Sequence, residues 1–472
     1  MGKFSAILNH SEPNLHHSNF RVLPQGAQNR VKRFYSYQKT EVDYPLPLSK
    51  KKVSDMVITM DTIFVESKKN LKFALIFLNM AIVLILCVCS SKSLLAQETF
   101  LIANTVKPII NTAVMDNTLN KILNQEQERK IFNESVAKRY KSAVIKDVEL
   151  GVKHIKLTRY VNKKPVRINV VEINRNLNPS LKIAPTLASD TLNHRVGISK
   201  IAGKKNSIVA INGTFFKPQT GVPLGTLMID GELQTGPIYD RVAFGIFENR
   251  FDTARVQLNA SLKTGKETIK IDNINQPRML SIHNLLYTSK WGEKSAPTPK
   301  YGIQASILDN RIIEISKNSL SIPKGGYVIS GPESRLGKLK AGDKVVVDIK
   351  TIPQWDDVVH IISGGPYLIK RNMVFIDVYE EKLPAITGRN PRTAIGYTAE
   401  NNLVLVTVDG RENQSVGMSL RELALFMKSI GCYEAINLDG GGSSVMYIKG
   451  QIINSPAQKG GIALSNALTV GF

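Results

Sequence analysis

The carboxylates best placed for chemistry are Asp409 and Asp439, which open the runs Asp409-Gly410-Arg411 and Asp439-Gly-Gly-Gly-Ser-Ser444. A carboxylate held at a glycine turn can serve as general base or nucleophile. Two arginines, Arg392 (followed by Thr393) and Arg411, stand in the same third of the chain. Their planar guanidinium forks match phosphate oxygens. Amides, hydroxyls and bare backbone complete the set: Asn212-Gly213, Gly364-Gly365, Asn437, Gly440, Gly441, Gly442, Ser443 and Ser444. Glycine-rich backbone of this kind can form an anion-binding nest. Carboxylates, arginines and amides together are the residue types that grip an anionic sugar.

Each motif has a plainer reading. Asp-Gly is the commonest hairpin turn, and at Asp230-Gly231 that reading is preferred. A nucleotide-binding P-loop is excluded after Gly442, because no Gly-Lys-Ser/Thr ending follows. Seven histidines without paired spacing, and a Cys432 without a partner, give zinc no ligand set. Ser443 lacks the nucleophile-elbow pattern, with glycine on both sides. Cys432 follows Gly431 and reads as a small buried residue rather than a nucleophile. No cofactor is called for, although the oxygen donors of Asp409 and Asp439 suit Ca or Mg.

The elements that must position these groups are mainly strands. Ile436 and Leu438 alternate with Asn437 and Asp439 as a strand leaves a buried sheet, and Val445–Ile448 is the strand that follows the glycines. Ser207–Ile211, His360–Ser363 and Leu403–Val408 likewise end in polar residues beside glycine. Hairpins are expected around Asp230-Gly231, Asp309-Asn310 and Glu400-Asn401-Asn402. A helix is expected over Met418–Ile430, capped by Ser415 or Ser419 and stopped by Gly431. Ser465–Val470 reads as the last strand.

A chain of 472 residues, 43% apolar and 21% charged, can bury a large core. Its 62 basic against 39 acidic residues give a net charge of +23. Leaving out residues 1–96 still leaves 49 basic against 33 acidic, so polyanionic surroundings are implied for the folded part. Residues 1–67 are polar and aperiodic, either disordered or preceding the true start. Lys68, Lys69 and Lys72 precede the apolar run 73–89, and Ser90–Ala96 follows, so 68–96 reads as an export signal or membrane anchor. That topology places the bulk of the chain outside the cytoplasm, in the cell envelope. Segment 97–144 reads as a helical spacer with apolar positions from Leu119 to Val136, and alternation from about Ile145 marks one domain over 145–472. The expected class is α+β: one large β-rich domain with mixed or antiparallel sheet and a few helices, behind the N-terminal signal or anchor. Nucleic acid is excluded as a partner, because no recognised module or aromatic-basic interleaving accompanies the charge.

Five ordered blocks, Ala210–Phe216, Ile362–Pro366, Asn390–Gly396, Val408–Arg411 and Asn437–Ser444, resemble the phosphodiester glycosidase family, and Ile274–Thr288 is similar too. The resemblance covers roughly 145–472. It implies a hydrolase acting on a phosphate-linked glycan, such as an N-acetylglucosamine-1-phosphodiester or an exopolysaccharide, with Asp439 and Asp409 for the chemistry, Arg392 and Arg411 on phosphate, and Asn212, Asn437 and Ser443 on sugar hydroxyls. A non-catalytic envelope protein that binds anionic glycan through the same pocket is the alternative.

Overall fold

The structure is a computed structural model describing residues 112–472 apart from 266, 380, 384 and 385, with side chains from Asn120 onward. Segments 1–67 and 68–96, with the export or anchor run 73–89, lie outside the described residues. Ile110–Phe472 forms one compact unit. Among the described residues no helix is long and apolar enough to cross a membrane.

Strands predominate. The largest sheet has eight antiparallel strands, with Lys164–Ile173, Leu403–Val408, Arg392–Thr398, Cys432–Asn437 and Tyr367–Lys370 adjacent in that order. Leu403–Val408 is buried at every position, which explains why it reads as an unbroken apolar run rather than an alternation. One face is covered by two helices, Thr112–Arg139 and Leu420–Ser429. Phe132, Val136 and the following Tyr140 are buried in that layer, so the helix read as a spacer ends inside the core. The shorter helix starts at a capping box: Ser419 Oγ accepts from the Glu422 N–H (3.3 Å) and the Glu422 carboxylate accepts from the Ser419 N–H (2.9 Å). Of the two proposed caps, Ser419 is the one used.

The opposite face packs on two five-stranded antiparallel sheets. One contains Val209–Asn212 between Met446–Ile448 and Asn466–Gly471; the other contains Val358–Ser363 between Leu227–Ile229 and Val242–Phe247. Val171, Ile395, Ile436, Ile211, Phe244 and Ile362 meet in the shared core. Asn212, Gly364, Arg392, Asp409 and Asn437 therefore stand at or just past strand ends around one apolar centre. Asp230-Gly231 forms a hairpin turn at φ 51° and 75°, as its plainer reading has it.

Residues 257–352 build a further three-stranded and five-stranded sheet over their own core of Leu262, Ile271, Leu286 and Ile329. Among the described residues, parallel pairing is confined to Asn273–Ile274 with Leu285–Thr288. The Ile274–Thr288 block tethers this lobe: Gln276 Nε2 donates to the Gly236 carbonyl (3.0 Å) and Asn275 Nδ2 to that of Gln234 (2.8 Å).

Candidate active site

Asp439 leaves the Cys432–Asn437 strand and enters a short 3-10 turn over Gly441–Ser443. Its Oδ1 accepts the Gly440 N–H (2.9 Å), and the Ser443 hydroxyl bonds to the carboxylate. The residue is half-buried by its own surface, yet its surroundings are dense. Burial pushes the carboxyl up to about 6, against Ser443, the Gly440 amide and the Arg241 charge, which pull it down. A carboxyl poised there is ionised at neutral pH and basic enough to accept a proton.

The glycine elbow is a clamp rather than an open nest. The N–H groups of Gly441, Ser443 and Ser444 are taken by the carbonyls of Pro391, Gly440 and Gly441 (2.9, 3.1 and 3.3 Å), and that of Gly440 by Asp439 itself. Gly441 adopts φ +61° with Arg411 Nη2 only 3.2 Å from where a Cβ would sit. The nest expected at Gly440–Ser444 is thus corrected: one of these amides holds the Asp439 carboxylate and three close the turn on backbone carbonyls. Gly442 flanks Ile462, and the buried Ser444 Oγ has no partner.

Two more assignments change for the same reason. Asn212 is fully buried; its Nδ2 donates to the Asp439 carbonyl (2.6 Å), and its Oδ1 accepts from Thr393 Oγ1 (2.7 Å) and the Val445 N–H (3.1 Å). With its side chain saturated, Asn212 positions the Asp439 backbone instead of binding sugar, and Thr393 serves Asn212. Gly213 receives the Asp439 N–H on its carbonyl (3.4 Å). Arg392, expected on phosphate, is 2% exposed and donates to the carbonyls of Met418 (2.8 Å), Ile386 (2.7 Å) and Gly388. It braces the 386–390 loop, and burial followed by the neighbouring Arg411 charge pushes it down to about 10.

Asn437 directs Nδ2 to the carbonyls of Gly365 (2.9 Å) and Leu438 (2.7 Å), leaving a buried Oδ1 unpartnered. Gly364 and Gly365 are required by close approach. A Cβ on Gly364 would lie 2.2 Å from the Asn437 carbonyl oxygen, and one on Gly365, at φ +126°, 1.9 Å from Glu381 Oε2. Asp409 is joined to the elbow through Asn454, whose Nδ2 also donates to the Ser444 carbonyl (3.1 Å). Asp409 Oδ1 accepts from Asn454 Nδ2 (3.0 Å) and the Ser455 N–H (2.9 Å), and the neighbouring charges it feels are Glu412 and Arg167. Asp439 feels Arg241. The two carboxylates thus answer to different neighbouring charges.

Arg411 lies beside the elbow, near Gly441. It is exposed over the elbow, and its Nε and Nη2 donate to Asn390 Oδ1 (3.2 and 2.8 Å). Arg241 and Glu381 were not singled out from sequence. Arg241 is 8% exposed, stacks on Phe215 (4.9 Å) and Tyr239 (5.7 Å), and has buried Nε and Nη1 without partners. Burial lowers its pKa, opposed by the charges of Glu381, Tyr239 and Asp439. Arg241 precedes the Val242–Phe247 strand, whose first carbonyl accepts the Gly364 N–H (2.9 Å). In an antiparallel sheet the beginnings of strands share an edge with the ends of their neighbours. That topology, joined to a turn at Tyr239-Asp240 (φ 52° at both), was the available signal for Arg241.

Among the described residues no group of three or more His, Cys, Asp or Glu is arranged to hold a metal. Open depressions of about 420 Å³ by Phe251 and Tyr397 and about 450 Å³ by Arg311 and Lys344 contain no residue of this cluster. Cys432 is fully buried, its thiol pushed up by burial, consistent with the packing role read from sequence.

Fold and site together define an antiparallel, multi-sheet β-rich domain that presents a fixed carboxylate beside an unpartnered arginine. Residues 301–471 match the model of the phosphodiester glycosidase family, and this segment of the chain carries that family's domain. The N-acetylglucosamine-1-phosphodiester alpha-N-acetylglucosaminidase of Mus musculus is 32% identical over 110 residues, 21% of this chain and 21% of that protein. The SPbeta prophage-derived uncharacterized protein YomE of Bacillus subtilis is 37% identical over 84 residues, 18% of this chain and 13% of that protein. The chain thus matches about a fifth or less of the length of these relatives. A crystal structure of a hypothetical protein from Synechocystis shares the fold, with a TM-score of 0.63 and 22% identity over 68% of this chain and 62% of that one. The Ala210–Phe216 block, with Asn212, and Arg241 lie before the segment that the family model matches.

Proposed function

We propose that this protein is an exported hydrolase that cleaves the bond between a sugar and phosphate in a phosphodiester-linked glycan. The observation that carries the reading is the juxtaposition of a clamped, half-buried Asp439 with the buried, unpartnered guanidinium of Arg241. Buried N–H groups without acceptors are costly, so a ligand anion that accepts from them is bound in preference to water. Arg241 takes the phosphate and stabilises the charge that grows on it as the bond to the sugar breaks, and the exposed Arg411 attracts the anion at the rim. Asp439 takes the proton of the attacking water, or attacks the anomeric carbon itself, through an oxocarbenium-like transition state. The family match over 301–471 and the activity for which the Mus musculus relative is named support the substrate class. Export and an envelope location rest on the basic, apolar and small-residue succession at 68–96.

The test incubates the purified protein with a panel of sugar-1-phosphodiesters, N-acetylglucosamine-1-phosphodiesters included, with and without chelator, and measures free sugar. Release by the wild type and a drop of about 100-fold or more in Asp439→Asn is expected, the range a general base supplies. Binding of the glycan without release would leave the non-catalytic reading, and undiminished turnover in a folded Asp439→Asn protein would remove Asp439 from the mechanism.

A further inference from the structure

A second carboxyl group completes the cluster, and no motif drew attention to it. Glu381 is fully buried; its Oε1 accepts the Val242 N–H (3.2 Å), while its Oε2 has no partner and presses against the bare Cα of Gly365. Gly365 is bonded through its N–H to the Asn437 carbonyl (2.7 Å), two residues before Asp439. Val242 follows Arg241 directly, so the backbone group that holds Glu381 is next in the chain to the unpartnered guanidinium. Among the described residues Glu381 and Arg241 form no ion pair, and each keeps unused buried polar atoms. Glu381 and Arg241 feel one another's charge, one a carboxyl and one a cation, and both keep buried polar atoms unmet. An isolated buried carboxylate would be expensive, whereas a neutral carboxyl is tolerated and can donate.

We infer that Glu381 is the proton donor to the departing phosphate, bonded through Oε2–H to a phosphate oxygen that Arg241 also holds. The inference rests on the phosphodiester reading above. Oε1 already accepts from a backbone amide, which leaves Oε2 to carry the hydrogen. In the step, the bond from the anomeric carbon to the phosphate oxygen breaks and its electron pair stays on that oxygen. The proton of Glu381 Oε2 moves there; water supplies hydroxyl to the anomeric carbon, and its proton goes to Asp439. Solvent then returns a proton to Glu381 and removes one from Asp439, closing the cycle. A departing phosphate monoester has a second pKa of about 6, so a nearby acid assists it modestly.

The surroundings keep Glu381 protonated. Burial first, then the charge of Asp377, pushes it up to about 8, against the Val242 amide, Arg255 and Arg241. Asp377 is itself ion-paired to Arg255 and accepts the Tyr367 N–H (3.0 Å), while burial pushes the Tyr367 phenol up to about 12. Asp439 and Glu381 are thus separated in proton affinity, with the base low and the acid high.

Sulfate tests the anion site without requiring turnover, because it does not titrate between pH 6 and 9. Calorimetry on the whole protein should show affinity falling by up to about tenfold from pH 7 to pH 9, as an ionised Glu381 repels the dianion. Glu381→Gln keeps a neutral donor, so it should bind sulfate at pH 7 and lose little by pH 9. The same variant cannot give a proton: its kcat should fall about tenfold to 100-fold with KM little changed, and its alkaline limb near pH 8 should vanish. Equal pH dependence of sulfate binding in both proteins, or full kcat in Glu381→Gln, would overturn the assignment. If the variant does not fold, a wild type whose sulfate affinity is flat from pH 7 to 9 overturns it alone. Sulfate binding that follows this pattern without sugar release would instead sink the hydrolase reading and leave the anion site standing.

Discussion

Two groups of polar residues surround the same strand ends, and they differ in whether their hydrogen bonds are complete. Asn212, Thr393, Arg392 and the elbow amides spend their donors and acceptors inside the protein. Arg241 and Glu381 are equally buried yet keep polar atoms unmet, and Asp439 retains accessible surface beside them. Saturated buried groups fix geometry; unsaturated ones are free energy held in reserve for a ligand. The glycine-rich motifs therefore belong mostly to the frame, and the unmet polar atoms of Arg241 and Glu381 stand apart from it.

The largest effect that separates the two groups is expected at Arg241. Arg241→Met should lower kcat/KM by about 100-fold, the usual loss for one preorganised charge-stabilising donor. The same change removes a buried cation with unmet N–H groups and leaves an apolar chain against Phe215, so the melting temperature should hold or rise. A clear fall in melting temperature would mean that Arg241 is part of the frame. Asn212→Ala is the converse. It strips partners from the Asp439 carbonyl, Thr393 Oγ1 and the Val445 N–H, at about 1 kcal/mol each, or roughly 3 kcal/mol in all. Denaturant unfolding should register that loss. Stability within error of wild type would break the division proposed between frame and reactive group.

Much of the frame was legible. Alternation located the strands, Asp-Gly and Asp-Asn located hairpins, and Ser419 with Gly431 bounded the Leu420–Ser429 helix. The gathering of Asn212, Gly365, Arg392, Asp439 and Arg411 was legible too, because glycine beside polar residues marks where strands end. Roles were less so. Arg392 and Arg411 are alike in sequence, and only three-dimensional packing decides that one faces carbonyls and the other faces solvent. Arg241 stands at a strand's beginning, as Arg392 does, but no neighbouring motif marks it. Glu381 lies in an aperiodic stretch, and nothing local foretells its complete burial against Gly365. Residues brought together by tertiary contact leave no spacing to read.

Arg411 gives the smallest and most selective contrast. Its guanidinium is exposed, its two hydrogen bonds converge on one oxygen of Asn390, and it overhangs Gly441 without entering the buried cluster. Solvent screens such a charge, so it contributes attraction at the rim more than stabilisation at the reacting bond. Arg411→Ala should therefore raise KM by about threefold to tenfold with kcat unchanged, the pattern of binding lost equally in ground and transition states. Stability should stay within about 0.5 kcal/mol, as for surface changes in general. Raising the salt concentration should shrink the difference from wild type, whereas the deficit of Arg241→Met, arising in a site closed to counterions, should persist. A fall in kcat that survives high salt would move Arg411 from the rim into the reactive group and place both arginines on the departing phosphate.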